Sequence, residues 1–333
     1  MVCSISLDWT YKGMKTLIME NNLIRIVSLI DKGSDIIQII HKPTNIDLMW
    51  HSPAGYRNPR EIIPTCPAST GSFLDSYGGG WQDILPSAGG PSKNRGAEWG
   101  IHGETALIPW DCAITRDDKD EVEAYLSVKT YRYPLKVEKR ITLREGESKI
   151  RLWEKVTNMC GQELEFSWLQ HPAFGEPFIA PGCRVYIPAR TVVVRSEEEW
   201  PLGRLKSGRY AWPLAKDRNG REVDLSVIPE KSLVASECPF ITDLDEGWYA
   251  LINPSLKLGF GLSWDKKIYS WVWFWQNFNT PDHPWYGEAW NVALEPCTSY
   301  PGGLAEQIKE GTAAKIGRRE SVETTLIASV FEG

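Results

Sequence analysis

From Leu135 to Leu143 the chain alternates: Leu135, Val137, Ile141 and Leu143 fall on one face, Lys136, Glu138, Arg140 and Thr142 on the other, and Lys139 is a lone charge on the apolar face. A period of two marks a strand with one buried face. After Glu145-Gly146-Glu147 the alternation resumes, with Ile150, Leu152 and Val156 set against Lys149, Arg151 and Lys155, so the two runs predict an antiparallel hairpin. Strands are also expected at Thr16–Met19 and Leu23–Ile30, either side of an Asn21-Asn22 turn, and at Tyr125–Tyr131, Leu164–Leu169, Thr191–Arg195, Tyr249–Ile252, Gly259–Trp264 and Thr324–Phe331. Helical periodicity is almost absent, and only Leu304–Lys309, ahead of Gly311, predicts a short helix. With 28 Gly and 22 Pro between short runs, the pattern predicts an all-β chain, one large antiparallel β-sandwich domain over residues 1–333. Its Gly/Pro-rich loops, Asn58–Gly71, Tyr77–Pro91 and Pro172–Gly182, are where function is expected.

Composition narrows the function. A hydrophobic content of 42%, a charged content of 24% and a net charge of −6 with the signs interspersed describe an ordinary globular chain and argue against a nucleic-acid partner. No apolar run approaches the ~18 residues of a membrane span, and Met1–Gly13 lacks the basic and apolar parts of a signal peptide. Seven cysteines (Cys3, Cys66, Cys112, Cys160, Cys183, Cys238, Cys297), odd in number and without a C-x-x-C pair, read as reduced thiols. The expectation is a soluble, cytoplasmic protein, monomeric or homodimeric. Aromatic content stands out, with 16 Trp, 12 Tyr and 9 Phe; Trp271, Trp273 and Trp275 share one strand face by their spacing. Indole fills cores, and it also offers a flat apolar face to a pyranose ring.

The five histidines separate by context. His41 and His51 stand at turn entrances, and His283 lies in the loop Thr280-Pro281-Asp282-His283-Pro284. His102, in Gly100-Ile101-His102-Gly103-Glu104, and His171, in Gln170-His171-Pro172-Ala173-Phe174-Gly175, lie where a strand gives way to a loop. An imidazole there is held by the strand, reaches a cavity, and titrates near neutrality. Glu295 follows an apolar stretch and precedes a proline in Leu294-Glu295-Pro296-Cys297-Thr298. Burial at that strand end would raise its pKa towards that of a useful general base, and a structural Glu fits the same local sequence.

At these residues the chain resembles galactose mutarotase-like proteins, the aldose 1-epimerase superfamily. Met19-Glu20-Asn21-Asn22-Leu23-Ile24-Arg25-Ile26 with Asp31-Lys32-Gly33 looks like the family's opening segment. Gly79-Gly80-Trp81-Gln82-Asp83-Ile84-Leu85-Pro86-Ser87 and Ile101-His102-Gly103-Glu104 are similar to its loop and first-histidine motif, Gln170-His171-Pro172-Ala173-Phe174-Gly175 to its second, and Leu294-Glu295-Pro296-Cys297-Thr298 followed by Thr324-Thr325-Leu326 to its close. The ordered set spans nearly the whole chain. It departs in Asn94-Arg95, which lies only seven residues before His102, and so resembles a separate branch of the superfamily.

The resemblance implies Glu295 as general base, His171 as general acid and His102 as the residue that binds and polarises the sugar, with acid and base on opposite sides of the ring. The reaction implied is interconversion of the α and β anomers of an aldose, which needs no cofactor. No Walker loop, Rossmann fingerprint or Gly-x-Ser-x-Gly elbow is present in the sequence. Gln82 and Asp83 are the candidates for sugar hydroxyls, Trp81, Trp273 and Trp275 for a stacking platform, and Arg95 for a further substrate contact. Three rivals stand beside this reading. One is a metal-dependent isomerase using His102, Glu104, His171 and Glu295. Another is a carbohydrate-binding protein without activity. The third is an epimerase of a phosphorylated, sulfonated or acidic sugar, whose anion would call for Arg57, Arg60 or Arg95.

Overall fold

The computed structural model describes residues 2–63, 65 and 71–333; Cys66 and the rest of the Asn58–Gly71 loop between those limits lie outside the described residues. The alternation at Leu135–Leu143 becomes the strand Leu135–Arg144, antiparallel to Lys149–Asn158, with Ile141 opposite Leu152 and Leu143 opposite Ile150. These two strands sit in an eight-stranded antiparallel sheet closed by the C-terminal strand Ser321–Glu332 and by Leu258–Ser263 and Trp248–Asn253. The apolar face of this sheet packs against a larger one of fourteen strands. Asn21 fixes the first turn: its side-chain oxygen accepts from the amides of Leu23 and Ile24, while its amide group donates to the Arg144 and Glu147 carbonyls of the other sheet. The short helix Leu304–Lys309 forms as expected.

The centre of the large sheet runs, strand beside strand, through Asp35–His41, Trp81–Ile84, Leu169–Phe174, Trp290–Cys297, Trp271–Phe278, Phe240–Leu244 and Ala189–Val194. Both of its faces are covered. On Trp290–Cys297, Val292 and Leu294 enter the core between the sheets, whereas Ala293 and Cys297 join a second apolar cluster on the far face. Burial on both sides explains why this strand reads as one apolar run rather than an alternating one.

One expectation needs correcting. Trp81–Ile84, assigned to a loop on its glycines, is a central strand that pairs with Leu169–Phe174, placing Gln82 opposite His171. The preceding Gly78-Gly79-Gly80 lets the chain turn into it. Gly79 has φ +92°, and a Cβ there would lie 2.0 Å from the Trp50 carbonyl oxygen. Gly79→Ala is therefore expected to cost about 2–3 kcal/mol, read as a lower urea midpoint, because both the backbone angle and a rigid carbonyl oppose it.

Lys139 lies on the inward face, as the alternation predicts, and is buried at 3% exposure. Its ammonium is bonded to the Asp83 carboxylate and lies 5.0 Å from the Trp110 ring centroid. Gln170 closes the cluster by donating to Asp83 (2.7 Å) and Glu154 (2.9 Å) while accepting from Trp81 Nε1 (2.7 Å). Burial pushes the Asp83 pKa up, but the Lys139 charge and the hydrogen bonds outweigh it and hold Asp83 below its usual range. Burial and the neighbouring Asp83 charge push Glu154 well up. These shifts favour a neutral Glu154 beside the Lys139–Asp83 ion pair, the arrangement in which a buried ion pair is balanced.

Candidate active site

The far face of the large sheet carries one lateral row of side chains. Leu169 pairs with Cys297 and Ala173 with Ala293, a register that sets His171 opposite Glu295. Glu295 pairs on its other side with Trp273, Trp273 with Phe240, and Phe240 with Val193. Because directly opposed residues in an antiparallel ladder project to the same face, the row forms the floor of a cavity. This cavity has a volume of about 610 Å³ and is lined by His102, His171, Glu295, Trp273 and Trp275 among the expected residues. Sequence reading missed Tyr77, Arg195, Trp200, Cys238, Phe240 and Trp285, which line it too. One wall is backbone against backbone: a Cβ on Gly89 would sit 2.5 Å from the Gly302 carbonyl oxygen and one on Gly303 2.6 Å from the Gly90 carbonyl oxygen, so side chains are excluded at Gly89 and Gly303.

At the floor, His171 Nε2 lies 3.3 Å from Glu295 Oε1, with side-chain exposures of 5% and 3%. The expected placement on opposite sides of a ring is not what is found; acid and base stand side by side, since adjacent strands present them in register. Burial raises the Glu295 pKa well above the usual carboxylate value and lowers that of His171 to about 4; a backbone hydrogen bond of His171 opposes that lowering and the Lys32 charge adds to it. Burial thus favours the neutral form of both groups, a protonated carboxyl beside an unprotonated imidazole, with one proton between them. Tyr77 OH lies 3.5 Å from His171 Nδ1, on the ring edge away from Glu295. Burial, reinforced by the Glu295 charge, keeps that phenol neutral.

His102 is partly buried at the loop edge with φ +62°, its ring centroid 5.2 Å from that of His171 and 4.5 Å from that of Phe73. Its Nδ1 is buried without a hydrogen-bond partner, and burial together with the nearby His171 lowers its pKa well below the usual value. The site therefore presents a neutral imidazole beside His171 and Glu295.

The remaining expectations fall elsewhere. Trp81 and Asp83 point into the core between the sheets, committed to Gln170 and Lys139. Gln82, opposite His171 on the next strand, is fully buried and donates to Asp35 (3.1 Å) and the Gly79 carbonyl (2.7 Å), beside the cavity floor and not part of its lining. Arg95 pairs with Glu165 at 3.1 Å on the surface. Trp273 lines the floor with its Nε1 donating to the Ser299 carbonyl at 3.0 Å; Trp275 stands 5.8 Å from His171, centroid to centroid. The Glu104 carboxylate turns away from the histidines and accepts from Trp99 Nε1 and the amides of Tyr131 and Arg132. Among the described residues no three His, Cys, Asp or Glu side chains group as metal ligands. Arg57 and Arg60 lie outside the cavity, Arg60 against Asp31.

The architecture is that of galactose mutarotase-like proteins. A provisionally named aldose 1-epimerase from Klebsiella pneumoniae superposes with a TM-score of 0.77 at 15% identity, over 99% of this chain and 83% of that one. A galactose mutarotase-like protein from Clostridium acetobutylicum gives 0.68 at 14% identity, over 100% and 99%. One from Lactobacillus casei gives 0.64 at 13%, over 95% and 100%. At these identities the likeness is one of fold. No curated protein matches the chain significantly in sequence. The sequence profile described as Domain of unknown function (DUF4432), however, matches residues 11–330. With nearly its whole length inside that profile, the chain belongs to the DUF4432 family, built on the galactose mutarotase-like fold.

Proposed function

We propose that the protein is an isomerase that interconverts the anomers of an aldose by general acid–base catalysis, with Glu295 and His171 as the proton-transferring pair and His102 as a sugar-binding group. The observation that carries this reading is the 3.3 Å approach of His171 Nε2 to Glu295 Oε1 at the floor of an aromatic-lined cavity. Ring opening breaks the O1–H and C1–O5 bonds and makes C1=O1 and O5–H. O1 and O5 are bonded to the same carbon, so two neighbouring groups serve them better than two on opposite flanks would. Sugar hydroxyls entering the cavity resolvate the pair and let its single proton pass from Glu295 to His171. Glu295 then takes the proton from O1 while His171 gives its own to O5, each transfer contributing ~10²–10⁴-fold. Rotation about C1–C2 and the reverse transfers close the ring as the other anomer, and the pair ends with the proton it began with.

The test is polarimetry or proton NMR on freshly dissolved single anomers of a panel of aldoses. Acceleration above the spontaneous rate is expected; its absence across neutral and acidic sugars would leave a binding protein. The pH profile gives a second reading. The working state has one proton on the pair, and a second is taken up only when His171 is protonated, at about pH 4 rather than at the ordinary 6.5. The value of kcat/KM is therefore expected to hold from neutrality down towards pH 4 and to fall below it. An acid limb centred at 6.5 would contradict the buried, neutral imidazole.

A further inference from the structure

The far end of the cavity floor is chemically unlike the end that holds Glu295 and His171. Following the row, Glu295 leads to Trp273, Phe240 and Val193, three strand spacings or about 14 Å of sheet. Two residues beyond Val193, on the same face by strand periodicity, Arg195 enters the cavity wall. Its guanidinium is held between two carboxylates, bonded to Glu199 and, at 2.7 Å, to Glu306. Arg195 is one-fifth exposed, the two glutamates about two-fifths (41% and 40%), and each glutamate meets the guanidinium through one oxygen. Trp200 adds apolar wall here, whereas Trp285 packs against Tyr77 and Trp275 at the His171 end. A lone hexose with its anomeric carbon at Glu295 leaves this end to water.

Resting on the anomer-exchange reading, we propose that the substrate is an uncharged reducing disaccharide or longer glycan, its reducing unit over Glu295 and His171 and its next unit hydrogen-bonded by Arg195, Glu199 and Glu306. The guanidinium and the second oxygen of each carboxylate supply neighbouring donors and acceptors, the array that adjacent hydroxyls of a sugar satisfy. Charge selects the same class. Arg195 is the only lysine or arginine among the described cavity residues, and with two carboxylates on it the far end is net negative. A phosphate or sulfonate there meets repulsion and no free cation. The arginines at 57, 60 and 95, to which an anionic sugar pointed, are outside.

The experiment compares anomer exchange of freshly dissolved maltose, lactose, glucose, galactose and glucose 6-phosphate, with the Glu199→Gln/Glu306→Gln protein measured alongside. The disaccharides are expected to show at least tenfold higher kcat/KM than the matching monosaccharides, and glucose 6-phosphate the lowest. In the double variant, checked for native circular dichroism, the disaccharide preference falls towards unity and the phosphate's disadvantage shrinks. Equal kcat/KM for mono- and disaccharides, or a preference unmoved in the variant, overturns the inference while leaving anomer exchange intact. Calorimetry separates the two claims from the other side: tighter binding of disaccharide than of monosaccharide upholds the inference even if no aldose is turned over, and equal binding overturns it.

Discussion

Glu295→Gln is expected to keep the fold and lose ~10²–10⁴ of the accelerated rate of anomer exchange. The carboxyl is buried and burial favours its neutral form, so a neutral amide of the same shape replaces it without adding a charge or a void. The amide N–H still donates towards His171 Nε2, which preserves the pair's geometry. What it lacks is a proton that can be exchanged. Melting temperature therefore stays within a few degrees of the parent while activity collapses. His171→Asn is expected to lose 10²-fold or more by the same reasoning, and the double variant to fall no further than the worse single one, since the two groups pass one proton between them and act as a unit. Polarimetry on a fresh single anomer decides it: unchanged turnover in Glu295→Gln would remove this carboxyl from the proton path.

Lys139→Met should destabilise the protein by about 3–5 kcal/mol at neutral pH, measured by urea denaturation. The methionine fills the volume, so the loss comes from charge: Asp83 remains ionised between two sheets with its cation gone. The sign of the pH dependence follows. In the parent, Asp83 has a depressed pKa, so its contribution is present at neutral pH and is lost as pH falls through that pKa. In the variant, the same carboxyl is raised by burial without compensation, so acidification relieves it. The gap between the two proteins narrows from both sides as pH drops. Adding Asp83→Asn recovers part of the loss, because it removes the stranded charge. A cost below about 1 kcal/mol would mean that water reaches the cluster.

How much of this was readable beforehand depended on whether a residue's role is local. The hairpin at Leu135–Asn158 was legible because alternation is a property of the strand itself. His102, His171 and Glu295 were legible as an ordered set, and the structure brings all three to one cavity. Gln82 and Asp83 were misplaced because Gly-Gly before Trp81 reads as a loop, whereas the glycines serve the close approach to Trp50. Once Trp81–Ile84 is a strand, alternation alone sends Trp81 and Asp83 to the interior. Lys139 was visible as an anomaly, but its partners lie on other strands, and no spacing announces Asp83 or Glu154. The Glu199 and Glu306 contacts of Arg195 are of the same kind. The side-by-side arrangement of His171 and Glu295 is a matter of register between distant strands, which no local pattern encodes.

The two ends of the cavity differ in how they are anchored, and this bears on how such a protein diverges over generations. His171 and Glu295 project from inner strands bonded to neighbours on both sides, so the backbone that positions them is fixed by ladders on either flank. Arg195 and Glu199 stand just beyond the end of the strand Ala189–Val194, on a loop whose residues can be exchanged without breaking a rung. On the proposed function, substitutions in that loop would alter which sugar is held while leaving the placement of Glu295 and His171 unchanged.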